Sequence, residues 1–449
     1  MTIKKILSVE NKKFLRILIF LALPIILQEF MNHAGNFIDM WMVGQLSLES
    51  ITGLGLSKRL LFLFILLVFG VNSGSAIFMG QYWGKKDVAG IHRVMGIAFT
   101  ANLFITTIFA SIAIFAPRWF LSILTSDPAV IEEGARYLTI ASITYFLTAI
   151  SFTLVVVLRS MRQTKIPMFA SGCALIAKIA ANYILIFVLD MGIVGAAWGT
   201  VVSRSIEITV QILLIKKYRL PVFTSLRKHF DFDLAYVKKF FKVSLPVIGN
   251  EFAWSLGVFM YDVAYQFTGT AGQGAFQISD SIQHMFMLTA ISIGAASAVM
   301  IANHLGAGER DLAIKNSKKC VAVGTVVVTF MAILLFLLGP LIVSTYNVAE
   351  DVQNLAATNM GIIAISMLPR TINYYYIISI LRQGGDTVFC LLLDTGSVWL
   401  IGIPLAFLGA YVLGLPIYWV LAMVYVEEGI KFFFARARVR RGKWANTLV

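Results

Sequence analysis

Two acidic residues sit where acids are costly. Glu29 lies in LPIILQEF (Leu23–Phe30), and Glu251 lies in LPVIGNEF (Leu245–Phe252), 222 positions later. Each is roughly halfway along an apolar run of about 30 residues. A carboxylate at the centre of a bilayer costs about 2.5–3.5 kcal/mol on insertion scales, so it points to function. Such a group can load a proton from one side and release it to the other, because desolvation and like charge favour its neutral form. Asp39, Asp262 and Asp394 are further ion-coupling candidates of this kind. Glu251 is expected to carry the coupling proton.

Other polar residues share these faces. On a helical wheel Glu29, Asn32, His33, Asn36 and Asp39 fall within about 120°. That face must turn toward the bundle or a wet cavity. Glu251 and Asp262 stand at nearly the same angle, roughly 16 Å apart along the axis. Lys178 is a lone cation inside an apolar run. It must deprotonate or pair, and Asp39 or Glu29 is the expected partner. Asn182 lies one turn on. Gln277, Asp280 and His284 share one face. With Asn32, His33, Asn36, Trp254 and Tyr261 they are candidates to line a substrate cavity, the aromatics by stacking on flat cations.

The elements that position these residues are apolar helices. Of 449 residues 59% are hydrophobic and 13% charged, and the mean hydropathy is +0.83. A soluble domain would carry about 25% charged residues. Strand-period alternation is absent, which argues against a β-barrel. Twelve spans are expected, over 14–44, 51–80, 92–116, 130–158, 167–189, 193–216, 238–267, 276–303, 316–345, 353–380, 388–411 and 415–435. The fold class is therefore an all-α integral membrane protein.

Charge orients it. Thirty Lys and Arg residues, among them Lys4, Lys5, Arg159, Arg382 and Lys431, fall on one side, against Arg118 and Arg136 on the other. The positive-inside rule puts both termini in the cytoplasm of a multi-pass cell-membrane protein. The net charge of +14 is read as topology, with no nucleic-acid partner. Cys173, Cys320 and Cys390 show no metal spacing and imply no disulfide framework. The first apolar run is too long for a signal segment and reads as a retained span.

The repeat extends past the opening motif. GQYWGKKD (Gly80–Asp87) corresponds to ANHLGAGERD (Ala302–Asp311), and RSMRQT (Arg159–Thr164) to RQGGDT (Arg382–Thr387), at offsets of 222 and 223. Six spans per half make a parallel repeat, with a pseudo-two-fold axis along the membrane normal. The halves are an N-lobe over 1–216, a cytoplasmic linker over 217–237 and a C-lobe over 238–449.

With these motifs in order and doubled, the chain resembles the multidrug and toxic compound extrusion (MATE) family, within the multidrug/oligosaccharidyl-lipid/polysaccharide flippase superfamily. The resemblance implies export of organic cations and amphipathic drugs in exchange for H+ or Na+, by alternating access between two lobes. It implies a monomer with no cofactor and no enzymatic activity. On the family pattern Asp39 matches the first-span aspartate in FIDMWMVG, and Glu251 the seventh-span glutamate. Some members carry a fifth-span aspartate with an asparagine four residues earlier; those places hold Asn182 and Lys178. The first-half loop RSMRQT lacks the glycines and aspartate of its counterpart. A lipid-linked precursor flippase or an exporter of an endogenous metabolite is the alternative. A flippase would want a basic cavity, whereas the midplane reads as mainly acidic. No nucleotide loop, catalytic constellation or metal cluster is apparent.

Overall fold

The computed structural model describes residues 9–346 and 348–449. Lys4 and Lys5, counted in the charge bias, lie outside the described residues. Among the described residues all regular structure is helical. Ten helices are long and apolar enough to cross a membrane. One of them, Leu234–Gly306, is interrupted by the 3-10 turn Gln266–Thr268 and by Gly269 at φ +81°. It therefore makes two crossings. A twelfth follows after Pro416, split at Tyr425.

We number the crossings α1 (Val9–Val43), α2 (Leu48–Lys85), α3 (Val88–Phe115), α4 (Pro128–Ser160), α5 (Lys165–Val188) and α6 (Gly192–Lys217) in the first half. The second half holds α7 (Leu234–Tyr265), α8 (Gly269–Gly306), α9 (Arg310–Val343), α10 (Glu350–Gly384), α11 (Thr387–Val412) and α12 (Ile417–Val424 with Val426–Arg440). Caps punctuate them. The Ser47 hydroxyl accepts from the Ser50 amide at the start of α2. The Asp87 and Asp127 carboxylates do the same for Gly90 and Ala129 at α3 and α4.

The chain divides into two compact units. The N-unit is Leu27–Ser244. The C-unit is the chain up to Ile26 together with Leu245–Val449. Both divisions fall inside helices, next to Pro24 in α1 and Pro246 in α7.

In the N-unit, Leu60, Phe64 and Val68 of α2 pack with Ala110 and Ala113 of α3 and Leu138 and Tyr145 of α4. Gly53 lies so close to Gly134 that a Cβ there would come within 2.8 Å of the Gly134 nitrogen. Small residues let membrane helices approach this closely. In the C-unit, Ile282 and Met287 of α8 pack with Val328 and Leu335 of α9 and Met360, Ile363 and Met367 of α10. Leu18, Leu21 and Ile25 of α1 join a second cluster with Ala296, Met300, Cys320 and Tyr375. All three cysteines are free thiols, and Cys320 and Cys390 are buried.

The C-terminal segment is part of the C-unit core. Trp444 is 1% exposed, and Asp386 takes both arms of the Arg438 guanidinium at 2.6 and 3.1 Å. The glycines of RQGGDT make room for it. A Cβ on Gly384 would land on the Trp444 carbonyl, and Gly385 turns at φ +82° against Leu448. The first-half loop, RSMRQT, has no such glycines.

Candidate functional site

The two repeat anchors that bracket each half meet in space. In the N-unit the Arg159 guanidinium at the end of α4 donates to Glu29 at 2.8 Å and to the Gln28 amide oxygen at 2.8 Å. In the C-unit Arg382 donates to Glu251 at 2.7 Å. Glu29 and Glu251 stand 222 positions apart, and Arg159 and Arg382 stand 223 apart. The C-unit pair is the more deeply enclosed, with side-chain exposures of 1% and 12% against 20% and 33%.

Asp39 meets two cations and one amide. Lys178 of α5 stands 2.7 Å from its Oδ2, and Lys58 of α2 stands 3.7 Å from the same atom. The Asn182 amide donates to Oδ1 at 3.0 Å. Asp39, Lys178 and Asn182 are all buried. Nearby in sequence on α6, Glu207 is also buried; it accepts from Arg204 at 2.6 Å and from the Ser171 hydroxyl at 3.0 Å.

The C-unit gathers acids instead. Lys431 lies 3.1 Å from Asp394, 3.4 Å from Glu428 and 3.5 Å from Glu427. The Tyr261 hydroxyl donates to Glu427 at 2.8 Å, the Asn250 amide to Asp394 at 3.1 Å and the Asn373 amide to Glu428 at 2.8 Å. Arg370 is within electrostatic reach of Glu427, Glu428 and Asp280. Asp280 also meets His284 at 3.4 Å. Asp262 acts on Tyr265 one turn along α7.

The remaining candidates disperse. On α1, Asn32 is half-buried while His33 and Asn36 are exposed. On α8, Gln277 and His284 are exposed, and Trp254 on α7 is half-buried.

The acidity expected of the midplane belongs to one unit only. In the N-unit the three acids Glu29, Asp39 and Glu207 meet four cations, Lys58, Arg159, Lys178 and Arg204, the extra one at Asp39. In the C-unit Glu251, Asp262, Asp280, Asp394, Glu427 and Glu428 outnumber Arg370, Arg382 and Lys431 by three. From the sequence, Arg204, Glu207, Arg370, Glu427 and Glu428 carry no expected role, and Lys58 near the start of the second span is expected at a polar surface. The charge pattern counts Arg159, Arg382 and Lys431 among loop and tail charges, yet Arg382 and Lys431 are buried and Arg159 is bonded within its unit. The signal was present: a repeated acid and a repeated arginine, 130 residues apart in one half and 131 in the other.

The family model MatE matches residues 24–184 and again 246–408. The chain belongs to the MATE family. The two matched stretches start 222 and end 224 positions apart, next to the 222 and 223 that relate the ion pairs. The chain is 23% identical to the uncharacterized transporter YisQ of Bacillus subtilis, over 92% of this chain and 91% of the relative. It is 21% identical to the probable multidrug resistance protein NorM of Thermotoga maritima, over 96% and 93%. A solved MATE structure in the straight conformation superposes with a TM-score of 0.86 at 16% identity, covering 95% of this chain and 96% of that one. A superfamily transporter from Pyrococcus furiosus, described as having a binding pocket of reverse polarity, gives the same score, identity and coverage. MATE proteins are transporters rather than enzymes, so this chain is a multi-pass membrane transporter of small molecules with the two-lobe MATE fold.

Proposed function

We propose that this MATE protein is a proton-coupled antiporter that exports organic cations and amphipathic drugs by alternating access. In this reading it works as a monomer in the cell membrane, with both termini cytoplasmic. The observation that carries it is the group of Asp394, Glu427 and Glu428, all within 3.5 Å of one Lys431 ammonium. Even with Arg370 beside them, carboxylates outnumber cations. Crowded carboxylates in a low-dielectric site favour uptake of a small cation. Tyr261, Asn250 and Asn373 already present N–H and O–H donors to these oxygens. That shell suits a proton better than a sodium ion, which wants oxygen ligands. Proton and cationic cargo would then exclude each other from one negative surplus, which is the thermodynamic content of exchange. Glu251 fits this role less well, because Arg382 already compensates it.

Proteoliposomes holding the full chain and a fluorescent organic cation test the reading. A pH gradient alone is expected to drive dye movement, and a sodium gradient alone is not. Glu427→Gln should lower pH-driven transport at least ten-fold. Sodium-driven, pH-independent transport, or full coupling in that variant, would overturn it. A second reading, export of an endogenous anionic metabolite, gains support from the positive surplus around Asp39. The same vesicles loaded with an organic anion separate the two.

A further inference from the structure

The N-unit holds a small site whose polarity runs opposite to the C-unit cluster. Every group bonded or ion-paired to Asp39 in its buried position is a donor: Lys178, Lys58 and the Asn182 amide nitrogen, from α5 and α2. One carboxylate balances one ammonium. Lys178, at 2.7 Å and 8% exposed, takes that balance. Lys58 is left 1 Å farther out, at 3.7 Å, and its buried Nζ makes no hydrogen bond. An ammonium carries three N–H donors, and a buried one without an acceptor is costly. Asp39 is the acid that meets Lys58, while Glu29 is held by Arg159 and Glu207 by Arg204. At Asp39 the second cation, Lys58, is therefore left without a carboxylate of its own.

We propose that Lys58 and Lys178 form an oxyanion-binding site in which Asp39 is the resident occupant. The ligand class is a small organic carboxylate or phosphate monoester. Its oxygens accept from Lys58 and, in the fully bound form, take the place of Asp39 at Lys178. A metal cation is disfavoured there by two like charges. This deepens the anionic-metabolite reading but is tested by binding, so failure of transport leaves it standing, and failure of binding leaves proton antiport standing.

The experiment uses the purified full chain in non-ionic detergent, with thermal unfolding followed by tryptophan fluorescence. Potassium benzoate and potassium phosphate are the two probes, and choline chloride and sodium chloride match ionic strength. At least one probe should raise Tm beyond the chloride controls, and which one does so separates carboxylate from phosphate. Lys58→Met, which keeps the Asp39–Lys178 pair, should lose that shift. Asp39→Asn should bind the same probe at least ten-fold more tightly, since the resident carboxylate is gone. If Asp39→Asn does not fold, the comparison with Lys58→Met still decides. Equal shifts in wild type and Lys58→Met, no shift with either probe, or an Asp39-dependent stabilisation by sodium would each overturn the proposal.

Discussion

The two units share one polar framework and fill it with opposite charges. In the N-unit, Ser171 on α5 donates to Glu207 on α6, and Arg204 braces Glu207 from three residues earlier. In the C-unit, Asp394 on α11 accepts from Lys431 on α12, and Glu428 braces Lys431 from three residues earlier. Ser171 and Asp394 are 223 positions apart; Arg204 and Glu428, and Glu207 and Lys431, are each 224 apart. Acid stands where base stood, and base where acid stood. Asp39 likewise answers Tyr261, at 222. A pair buried in hydrocarbon must be satisfied, but either polarity satisfies it. Duplication therefore fixes where polar contacts form and leaves their sign free to diverge. The divergence leaves more carboxylates than cations around Lys431 and more cations than carboxylates around Asp39.

The largest expected effect lies in that inverted contact. Lys431→Met leaves Asp394, Glu427 and Glu428 without their shared ammonium, and breaking a buried pair costs about 3–5 kcal/mol. Little folded material is expected in detergent. Lys431→Met with Glu428→Gln should recover a measurable part of the folded yield. Glu207→Gln in the other unit should be milder, because Arg204 is 31% exposed and can keep water contact. Size-exclusion profiles of the three variants check the order. If Glu207→Gln is as damaging as Lys431→Met, burial rather than surplus charge sets the cost.

The two repeated clamps should differ by depth. Arg382→Ala strands Glu251 in a pair with exposures of 1% and 12%, at about 3–5 kcal/mol. Arg159→Ala removes charge-assisted bonds from a pair at 20% and 33%, at about 1.5–3 kcal/mol before discounting for solvent. Thermal unfolding should rank Arg382→Ala below Arg159→Ala. The reverse ranking would mean that position in the repeat matters more than burial.

Much of this frame was readable in the chain. A lone cation in an apolar run must find an acid, which limits Lys178 to Asp39 or Glu29, and Asp39 is the one it meets. The doubled LPxxxxEF segment located both clamped glutamates. What stayed hidden has a physical cause. Arg159 and Arg382 lie at helix ends, where charge usually marks a loop, and a side chain long enough to reach back leaves no trace in the pattern. Glu427, Glu428 and Lys431 precede a basic run, Arg436 to Lys443, and so look like part of a solvated tail. Gly402 was an unread clue: a Cβ there would collide with Tyr261 and Glu427. A glycine within a helix interior often marks such a close approach.

The smallest effects separate backbone from charge. Among the described residues, four non-glycine residues turn with positive φ, namely Lys86 (+62°), Arg162 (+61°), Asp190 (+50°) and Arg219 (+50°). All four are in the first half of the chain. At offsets of 222 to 224, each answers a glycine of positive φ: Gly308 (+76°), Gly385 (+82°), Gly414 (+59°) and Gly442 (+68°). The turns were duplicated along with the helices, but at these four matched positions only the second half uses the residue without steric penalty. A left-handed conformation costs a residue with a Cβ roughly 1–2 kcal/mol. Gly308→Ala, with open space around its Cβ position, should therefore lose about 1 kcal/mol from backbone strain alone. Lys86→Gly should be neutral or raise Tm slightly, since relief of strain offsets the extra freedom of the unfolded chain. Gly385→Ala should lose more than Gly308→Ala, because Leu448 lies 2.8 Å from the added carbon. Equal losses at Gly308 and Lys86 would show that the two turns, alike in angle, are held by different forces.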